Sequence, residues 1–300
     1  MKISATIICK NEAPHIEECL RSVAEVDQVV LCDTGSTDDT IAIAKRVRPE
    51  GLTVIERPWT DHFSEARNAA MDEVDYGDWC LVIDCDETIL PGTVSALRDA
   101  IKANPTVTTL RFLCRTKGDE SKQHYMVRAH ARTPGIRWQG RIHEALTGDS
   151  GVTAYGCVLE YGYSEAHNTD PDRALRLLKL DHKFQKSRGK PEARTLYYLA
   201  REYLYRKDYT RAIPLLQQRV KEVGFRAECA DAYLYLAQCY WNTNQGELAR
   251  EACMKSLIMV PDCREALEFM ATLSFPEQAA TWMKFAGNAT NHGVLFVRNP

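Results

Sequence analysis

The 300-residue sequence lacks any long hydrophobic run. Its longest apolar stretches are five or six residues, whereas a membrane-spanning helix needs about 20. Near the start, a short apolar patch is followed at once by Asn11 and Glu12, which is unlike the apolar core of a signal peptide. We therefore expect neither a membrane span nor a signal peptide.

Paired cysteines are also missing. The chain has 11 cysteines, an odd number, and no two of them have Cys-x-x-Cys spacing. Several lie inside apolar runs, where a thiol behaves as a small hydrophobic group. This pattern favours a reducing compartment over a disulfide framework, so we expect a cytoplasmic location.

A strong net charge is absent, since the formal charge is −3. The charges are nevertheless uneven, because residues 1–169 hold 18 basic and 26 acidic side chains. Residues 173–226 hold 15 basic and 5 acidic side chains. An acidic first half, which suits metal binding, is thus followed by a basic block (residues 173–226).

What the sequence does contain is an alternation of strand-like and helix-like segments. The predicted strands are 3–9, 28–32, 52–57 and 79–83, and the predicted helices are 15–23, 40–47, 64–74 and 91–103. Strands 106–114 and 123–128 and a glycine-rich aromatic segment, 134–163, follow. This order predicts an α/β domain with a mostly parallel sheet and helices on both faces.

Acidic residues gather at the end of the fourth predicted strand, in the segment 84–87. Alternate side chains of an extended segment share a side, so we expect Asp84 and Asp86 to converge. Two adjacent carboxylates suit a hard divalent ion such as Mg²⁺ or Mn²⁺, although an isolated Asp-x-Asp is more often a solvated turn. Parallel sheets bind ligands at the carboxyl ends of their strands. Polar residues also end the first two predicted strands: Asn11, Glu12 and Asp33.

Beyond residue 169, strand signals vanish and helical periodicity continues to about residue 285. Small and aromatic residues recur with an offset of 37 residues, from the pair 199–200 to the pair 236–237. Each copy has the spacing of a helix-turn-helix repeat, although Arg219 stands where a small residue is expected. We predict two domains, 1–168 and 169–300, the second an all-α domain similar to tetratricopeptide (TPR) repeats. A plain bundle of amphipathic helices is the alternative.

Four motifs, in this order, resemble those of the family 2 glycosyltransferases, which have the GT-A fold. They are Ile8-Cys9-Lys10-Asn11-Glu12, Asp33-Thr34-Gly35-Ser36-Thr37-Asp38-Asp39-Thr40, Ala66-Arg67-Asn68 and Asp84-Cys85-Asp86-Glu87. The resemblance covers about residues 1–165. With the helical repeats added, the chain is similar to the glycocin S-glycosyltransferases, which attach a sugar to a peptide cysteine. The resemblance implies an enzyme that moves a sugar from a nucleotide donor, and it favours a UDP-sugar.

The resemblance also implies donor-binding residues. Asp33 would face the nucleotide base, with Arg67 beside it, and the pocket would be lined by Cys9, Asn11 and Glu12. A carboxylate discriminates between bases because a buried polar group left unpaired costs ~1–3 kcal/mol. Each assignment has a structural alternative: a turn cap for Asp33 and a surface salt bridge for Arg67.

The implied metal site involves the acidic segment. Asp86 would bind the divalent ion, Mn²⁺ or Mg²⁺, which bridges the two phosphates of the donor. Asp84 would hold the ribose or a water in the metal shell. A metal-independent variant of the fold would use lysine or arginine instead.

The segment 138–144 resembles the part of these enzymes near which the acceptor enters. Inverting transfer needs a base, and we assign Glu144 to that role. His143 is a candidate metal ligand through its neutral imidazole, and the two assignments could be exchanged. Alternatively, Glu144 pairs with Arg141 or Arg137 and His143 is simply packed.

One motif departs from the subgroup pattern. Where these enzymes commonly read His-x-Gly-Tyr, this chain reads Glu160-Tyr161-Gly162-Tyr163. Either Glu160 takes over the role of that histidine or the role is lost, and Glu160 is also the next candidate for the base. Nothing in the spacing ties His167 to the site.

The basic block is the one physical clue to the acceptor. Ordinary solvated helix faces would account for it, but an anionic acceptor would too, either an acidic peptide or a nucleic acid bearing a modified base. A face for stacking bases is suggested by five tyrosines, some of which also fit repeat core positions: Tyr197, Tyr198, Tyr203, Tyr205 and Tyr209.

We rank a peptide or protein acceptor first and DNA second, because the glycocin-like architecture is the closer resemblance. The helical domain is also a candidate homodimer interface. From another class of function, the alternative is a non-catalytic repeat scaffold with a vestigial transferase domain.

Overall fold

A computed structural model describes residues 1–148, 151–162, 170–189, 192–222 and 225–289, with the side chains of 120–122 excepted. The chain forms two compact units, Met1–Pro171 and Asp172–Pro300. The first unit contains the sheet and the second is helical.

The first unit is built on a mixed eight-stranded sheet in the order β3-β2-β1-β4-β7-β6-β10-β5. Its strands are β1 (Ile3–Cys9), β2 (Gln28–Asp33), β3 (Leu52–Glu56), β4 (Trp79–Val82), β5 (Glu87–Ile89), β6 (Thr109–Thr116), β7 (Asp119–Ala131) and β10 (Val152–Tyr161). The first four run parallel to one another in adjacent positions. Antiparallel pairs join β4 to β7, β7 to β6 and β10 to β5, while β6 and β10 are parallel. The prediction of a mostly parallel sheet holds for the β3-β2-β1-β4 half, and the other half contains the antiparallel pairs.

Helices cover both faces of this sheet. They are α1 (Ile16–Ser22), α2 (Thr40–Val47), α3 (Phe63–Asp72) and α4 (Thr93–Ala103). Because alternate residues of β2 point to opposite faces, Val29 and Leu31 pack in one apolar cluster with α1, α2 and α4. Val30 and Cys32 pack in a second cluster with Ala66, Ala70 and Met71 on and near α3. This division places α3 alone on its face among these four helices.

A small hairpin lies in the predicted glycine-rich segment. Strands β8 (Trp138–Gln139) and β9 (Ala145–Leu146) pair antiparallel. Residues 140–144 form its connecting loop, called the 140–144 loop below. The fourth strand ends at Val82, one residue earlier than predicted, so Asp84 and Asp86 lie in a turn and not on an extended strand. Residues 84–86 are called the acidic turn below.

The second unit is made of helices, among which consecutive ones pack on each other. They are α5 (Arg173–Ser187), α6 (Ala193–Tyr205), α7 (Tyr209–Arg219), α8 (Arg226–Asn242), α9 (Gly246–Met259), α10 (Arg264–Thr272) and α11 (Pro276–Asn288). Helix α6 packs on α7, α8 on α9 and α10 on α11, and neighbouring pairs contact one another through α7–α8 and α9–α10. This stacking is the arrangement of TPR-like repeats.

Arg219, the exception in the repeat pattern, is fully buried between α7 and α8. Its Nε and Nη2 atoms donate to Glu228 Oε1 at 2.9 and 2.8 Å. A charged side chain replaces the small one there because the next helix supplies its counter-ion.

The tyrosine face predicted for base stacking is not formed as such. Tyr197, Tyr198 and Tyr203 are buried in the helical core. The Tyr197 hydroxyl donates to Asp231, and Tyr205 and Tyr235 face each other edge to ring. The prediction was therefore wrong for the three buried rings, whose positions are those of repeat core residues.

Two further features bear on the sequence expectations. No helix among the described residues is both long and apolar enough to span a bilayer. All 11 cysteines lie in described residues as thiols, ten of them buried, while Cys263 at the start of α10 is half-buried.

Candidate functional site

The carboxyl ends of β2 and β1 lie side by side, since Cys9 is in register with Asp33. Asp33 is 8% exposed, and its Oδ1 accepts the main-chain N–H groups of Gly35 and Ser36 at 3.3 and 2.9 Å. The Cys9 thiol lies 3.7 Å from the same oxygen. One carboxylate oxygen thus closes the turn, as the structural alternative predicted, while Oδ2 accepts no hydrogen bond from the described residues.

The loop after β1 is tied to the loop after β2. Asn11 Oδ1 accepts the Thr37 N–H at 2.7 Å, and the Glu12 N–H donates to Thr40 Oγ1 at 2.8 Å. Asn11 has a left-handed backbone, with φ of 56°, a conformation that asparagine tolerates better than most residues. These bonds bring both predicted pocket residues to the strand-end edge beside Asp33.

The acidic turn lies over the end of β1. Asp84 and Asp86 are partly exposed, whereas the intervening Cys85 is buried. The Cys85 thiol donates to the Ile8 carbonyl at 3.5 Å. Both aspartates of the turn are thus accessible to solvent in part, while the residue between them is anchored to the end of β1.

Arg67 on α3 joins the acidic turn to the 140–144 loop. Its Nη2 lies 3.0 Å from Asp84 Oδ1, and its Nε donates to Glu144 Oε1 at 2.5 Å. The guanidinium also stacks over the Trp138 ring, 5.4 Å from its centre. Burial lowers the pKa of Arg67, but Asp84 and Glu144 raise that pKa by more, so the arginine stays cationic.

This contact changes the interpretation of two residues. Glu144 pairs with Arg67 and not with Arg141 or Arg137, and Arg137 instead pairs with Asp72. Arg67, which was expected beside the nucleotide base, contacts a carboxylate of the acidic turn and a carboxylate of the 140–144 loop.

The 140–144 loop is anchored to α3 by residues to which no role was given from sequence. The Ser64 hydroxyl donates to the Gly140 carbonyl at 2.6 Å. The Asn68 amide donates to the Trp138 carbonyl at 2.9 Å and accepts the Trp138 N–H at 3.0 Å. Within the loop, His143 has a φ of 52°. Such left-handed residues cluster at functional sites. The available sequence signal was the pair Arg67-Asn68, because these two adjacent residues of α3 contact Glu144 and Trp138, at and beside the same loop.

The motif Glu160-Tyr161-Gly162-Tyr163 contributes to the site through Gly162, while its Glu160 is engaged by an arginine. Glu160 Oε1 accepts from Arg115 Nη2 and Nε at 2.8 and 2.9 Å. A Cβ added to Gly162 would lie 1.8 Å from the Asp86 carbonyl oxygen, so this glycine packs directly on the acidic turn. Tyr163 and His167 lie outside the described residues.

The acidic turn carries carboxylates of the kind that bind divalent cations. Among the described residues, no three histidine, cysteine, aspartate or glutamate side chains form a cluster able to hold a metal. The acidic turn nevertheless presents two partly exposed carboxylates, and Mg²⁺ is commonly held by one or two carboxylates together with substrate phosphates and water. The donor set therefore fits a cation that arrives with a diphosphate.

Parallel strands that end in polar residues, with an acidic turn and a loop carboxylate near them, agree with the expected glycosyltransferase fold. Residues 4–159, about half of the chain, match the sequence model of Glycosyl transferase family 2. The chain belongs to this family, and its helical part is TPR-like.

Individual relatives agree with this assignment. A TPR repeat-containing protein of Synechococcus elongatus is 32% identical over 146 residues, which are 48% of this chain and 35% of that protein. An uncharacterized glycosyltransferase of Rickettsia felis is 43% identical over 89 residues, 29% of this chain and 30% of that protein. The chain thus spans only about a third of these curated relatives. The solved structure of S. aureus TarS 1–349 covers 87% of this chain at 15% identity, with a TM-score of 0.46.

Proposed function

We propose that the protein is an inverting glycosyltransferase that uses a UDP-sugar and a divalent cation to glycosylate a side chain of a peptide or protein. The observation that carries the proposal is the Asp84–Arg67–Glu144 cluster. It joins a carboxylate of the acidic turn to a carboxylate of the 140–144 loop, beside the strand ends that hold Asp33.

For the donor, we assign base recognition to Asp33. Its Oδ1 is used by the turn, and Oδ2 is available to accept a base N–H. Asn11 and Glu12 border the same edge, and Cys9 supports it from beneath through its contact with Asp33. Uracil, which presents an N–H between two carbonyls, suits a carboxylate acceptor.

For the cation, we assign Asp86 and His143 as ligands, with Asp84 holding ribose or a bound water. When bound, the cation would neutralise the charge that develops on the leaving diphosphate. The described chain supplies too few ligands for a closed metal site, which agrees with a cation held jointly by protein and donor.

For the transfer itself, Glu144 is the general base. The acceptor oxygen or sulfur attacks the anomeric carbon, the bond from that carbon to the diphosphate breaks, and Glu144 takes the acceptor's proton. Arg67 donates directly to the Glu144 carboxylate. It also holds Glu144 in a fixed position relative to Asp84.

A peptide acceptor agrees with the helical unit, since stacked helical repeats form extended surfaces suited to chains. DNA is less favoured, because three of the five candidate stacking tyrosines are buried. Mass spectrometry of a peptide library incubated with donor and Mn²⁺ tests the acceptor class, and a mass shift on DNA alone would reverse this ranking.

The donor proposal is tested by thermal-shift titration against a panel of nucleotide sugars, with and without Mn²⁺. A ligand at 100 times its Kd stabilises the folded state by ~2.7 kcal/mol, which is readily measured. A shift that requires both UDP-sugar and Mn²⁺ is expected. If no nucleotide sugar shifts the melting temperature under either condition, the protein is a scaffold and not an enzyme.

A further inference from the structure

The acidic turn joins two strands that are not neighbours in the sheet. It connects β4 to β5, and in the strand order these two are separated by β7, β6 and β10. Residues 84–86 belong to no strand, so no ladder of main-chain hydrogen bonds fixes their conformation. The geometry of any cation site on this turn must depend on other contacts.

Glu87 closes the turn from its carboxyl side. Its N–H donates to the Asp84 carbonyl at 3.0 Å, and its Oε2 accepts the Asp84 N–H at 2.9 Å. Glu87 is buried, 4% exposed. Its rotamer therefore decides where the Asp84 main chain lies.

Arg128, on β7, holds that rotamer. Its Nη2 donates to Glu87 Oε1 at 2.7 Å and its Nη1 to Oε2 at 3.0 Å, a two-pronged contact that leaves the carboxylate a single orientation. The Arg128 guanidinium lies over the Tyr161 ring, 5.5 Å from its centre. The Tyr161 hydroxyl in turn lies 3.1 Å from His124 Nε2.

Stability alone does not account for such a pair. Replacing a buried ion pair by apolar side chains of similar volume is often neutral or stabilising. Both side chains of the pair are buried, Arg128 being 7% and Glu87 5% exposed. Burial of the two charges therefore costs desolvation free energy. We interpret the effect of the pair as orienting the main chain of the acidic turn.

We propose that Arg128 is a positioning residue for cation and nucleotide binding, acting through Glu87 on the acidic turn. The proposal rests on the proposed function, because it concerns the same site. Arg128 touches neither the cation nor the donor. It fixes the main chain that presents Asp84 and Asp86.

The test is the double variant Glu87→Leu/Arg128→Met, which removes both charges together and leaves no unpaired ion in the core. The variant is expected to fold with nearly unchanged circular dichroism. Its affinity for UDP in the presence of Mn²⁺, measured by calorimetry, should fall ~10–100-fold, the usual effect of removing a group that orients a metal ligand. The Asp84 amide should exchange its hydrogen faster than in the wild type, with or without ligand.

The matched control is Glu228→Leu/Arg219→Met in the helical unit, the same exchange in a buried pair remote in sequence from the turn. It should leave both readouts unchanged. The single variant Arg128→Lys keeps the charge and loses the fork, so it should fall between wild type and double variant. If the double variant does not fold, UDP affinity and Asp84 amide exchange can both be measured on Arg128→Lys instead.

Wild-type UDP affinity and Asp84 exchange in the double variant would overturn the proposal. A wild-type protein that binds no UDP with Mn²⁺ would overturn the proposed function, and the binding part of this proposal with it. In that case the exchange of the Asp84 amide still decides whether the pair holds the turn. Faster exchange in the double variant supports this role, and unchanged or slower exchange contradicts it.

Discussion

Replacing Gly162 by alanine should disable the acidic turn while leaving the fold intact. The added Cβ would lie 1.8 Å from the Asp86 carbonyl oxygen and 2.9 Å from its carbonyl carbon. Ordinary contact between such atoms begins at 3.4 Å, so the two segments must separate by ~1.6 Å. Main-chain atoms cannot rotate away as a flexible side chain does, so one of the segments must shift.

The acidic turn is the segment that should yield. Gly162 directly follows β10, where Tyr161 pairs with Glu87 and Glu160 with Thr88, whereas residues 84–86 have no strand partner. A misplacement of 1 Å in a reacting group can lower the rate ~100-fold. We therefore expect kcat/KM to fall at least ~100-fold, with a loss of stability of ~1–3 kcal/mol from overpacking.

The assay is calorimetric titration of UDP in the presence of Mn²⁺, together with turnover of the donor identified by screening. Gly287→Ala is the matched control, because an added Cβ there meets nothing within 4 Å. That control should bind UDP normally and gain up to ~1 kcal/mol from helix propensity. If Gly162→Ala binds and turns over as the wild type does, the turn does not depend on this contact and the reasoning is wrong.

Four further substitutions have defined outcomes. Glu144→Gln should leave donor binding intact and lower turnover ~10²–10⁴-fold, and wild-type turnover would move the role of base to another carboxylate. Asp86→Ala should abolish the Mn²⁺ dependence of donor binding in a thermal-shift titration, whereas unchanged dependence would place the cation elsewhere. Asn68→Ala removes two hydrogen bonds to the Trp138 main chain and should cost ~2 kcal/mol in urea unfolding at ~1 kcal/mol each. Burial lowers the pKa of His130 from 6.5 to about 4, so its neutral form stabilises the protein fully above pH 6.5 and this contribution is lost as the pH falls toward 4. The loss is ~3 kcal/mol. In the variant His130→Leu, the unfolding free energy should therefore decline less between pH 6.5 and pH 4 than in the wild type, and an equal decline would contradict the expectation.

The strand and helix order of the first unit was predictable from local pattern. Its early strands are short apolar runs that end in polar residues, and its helices carry apolar residues on one side, so their periods identify them. Helix α2 (Thr40–Val47) has the predicted bounds, and β1 (Ile3–Cys9) does too. The turn at Asp84 was placed on a strand because the apolar run continues through Ile83 without a sequence signal for the end of the ladder.

Long-range partnerships were the part that local pattern does not contain. Arg67 meets Glu144 across 77 positions, and Arg128 meets Glu87 across 41. Nothing in the spacing of either pair reports their proximity, which follows only from the strand order. For Arg219 a signal was present, since Glu228 lies nine residues further on, at the start of the next helix.

The burial of the cysteines has a practical consequence. Because ten of the 11 thiols are enclosed and Cys263 alone is half-buried, a maleimide dye should react first at the start of α10. Burial also raises the pKa of the enclosed Cys80, Cys157, Cys239 and Cys253 to about 12, which keeps them protonated and unreactive at neutral pH. A fluorophore can thus be attached to the helical unit of the unmodified sequence while every cysteine of the first unit stays chemically untouched.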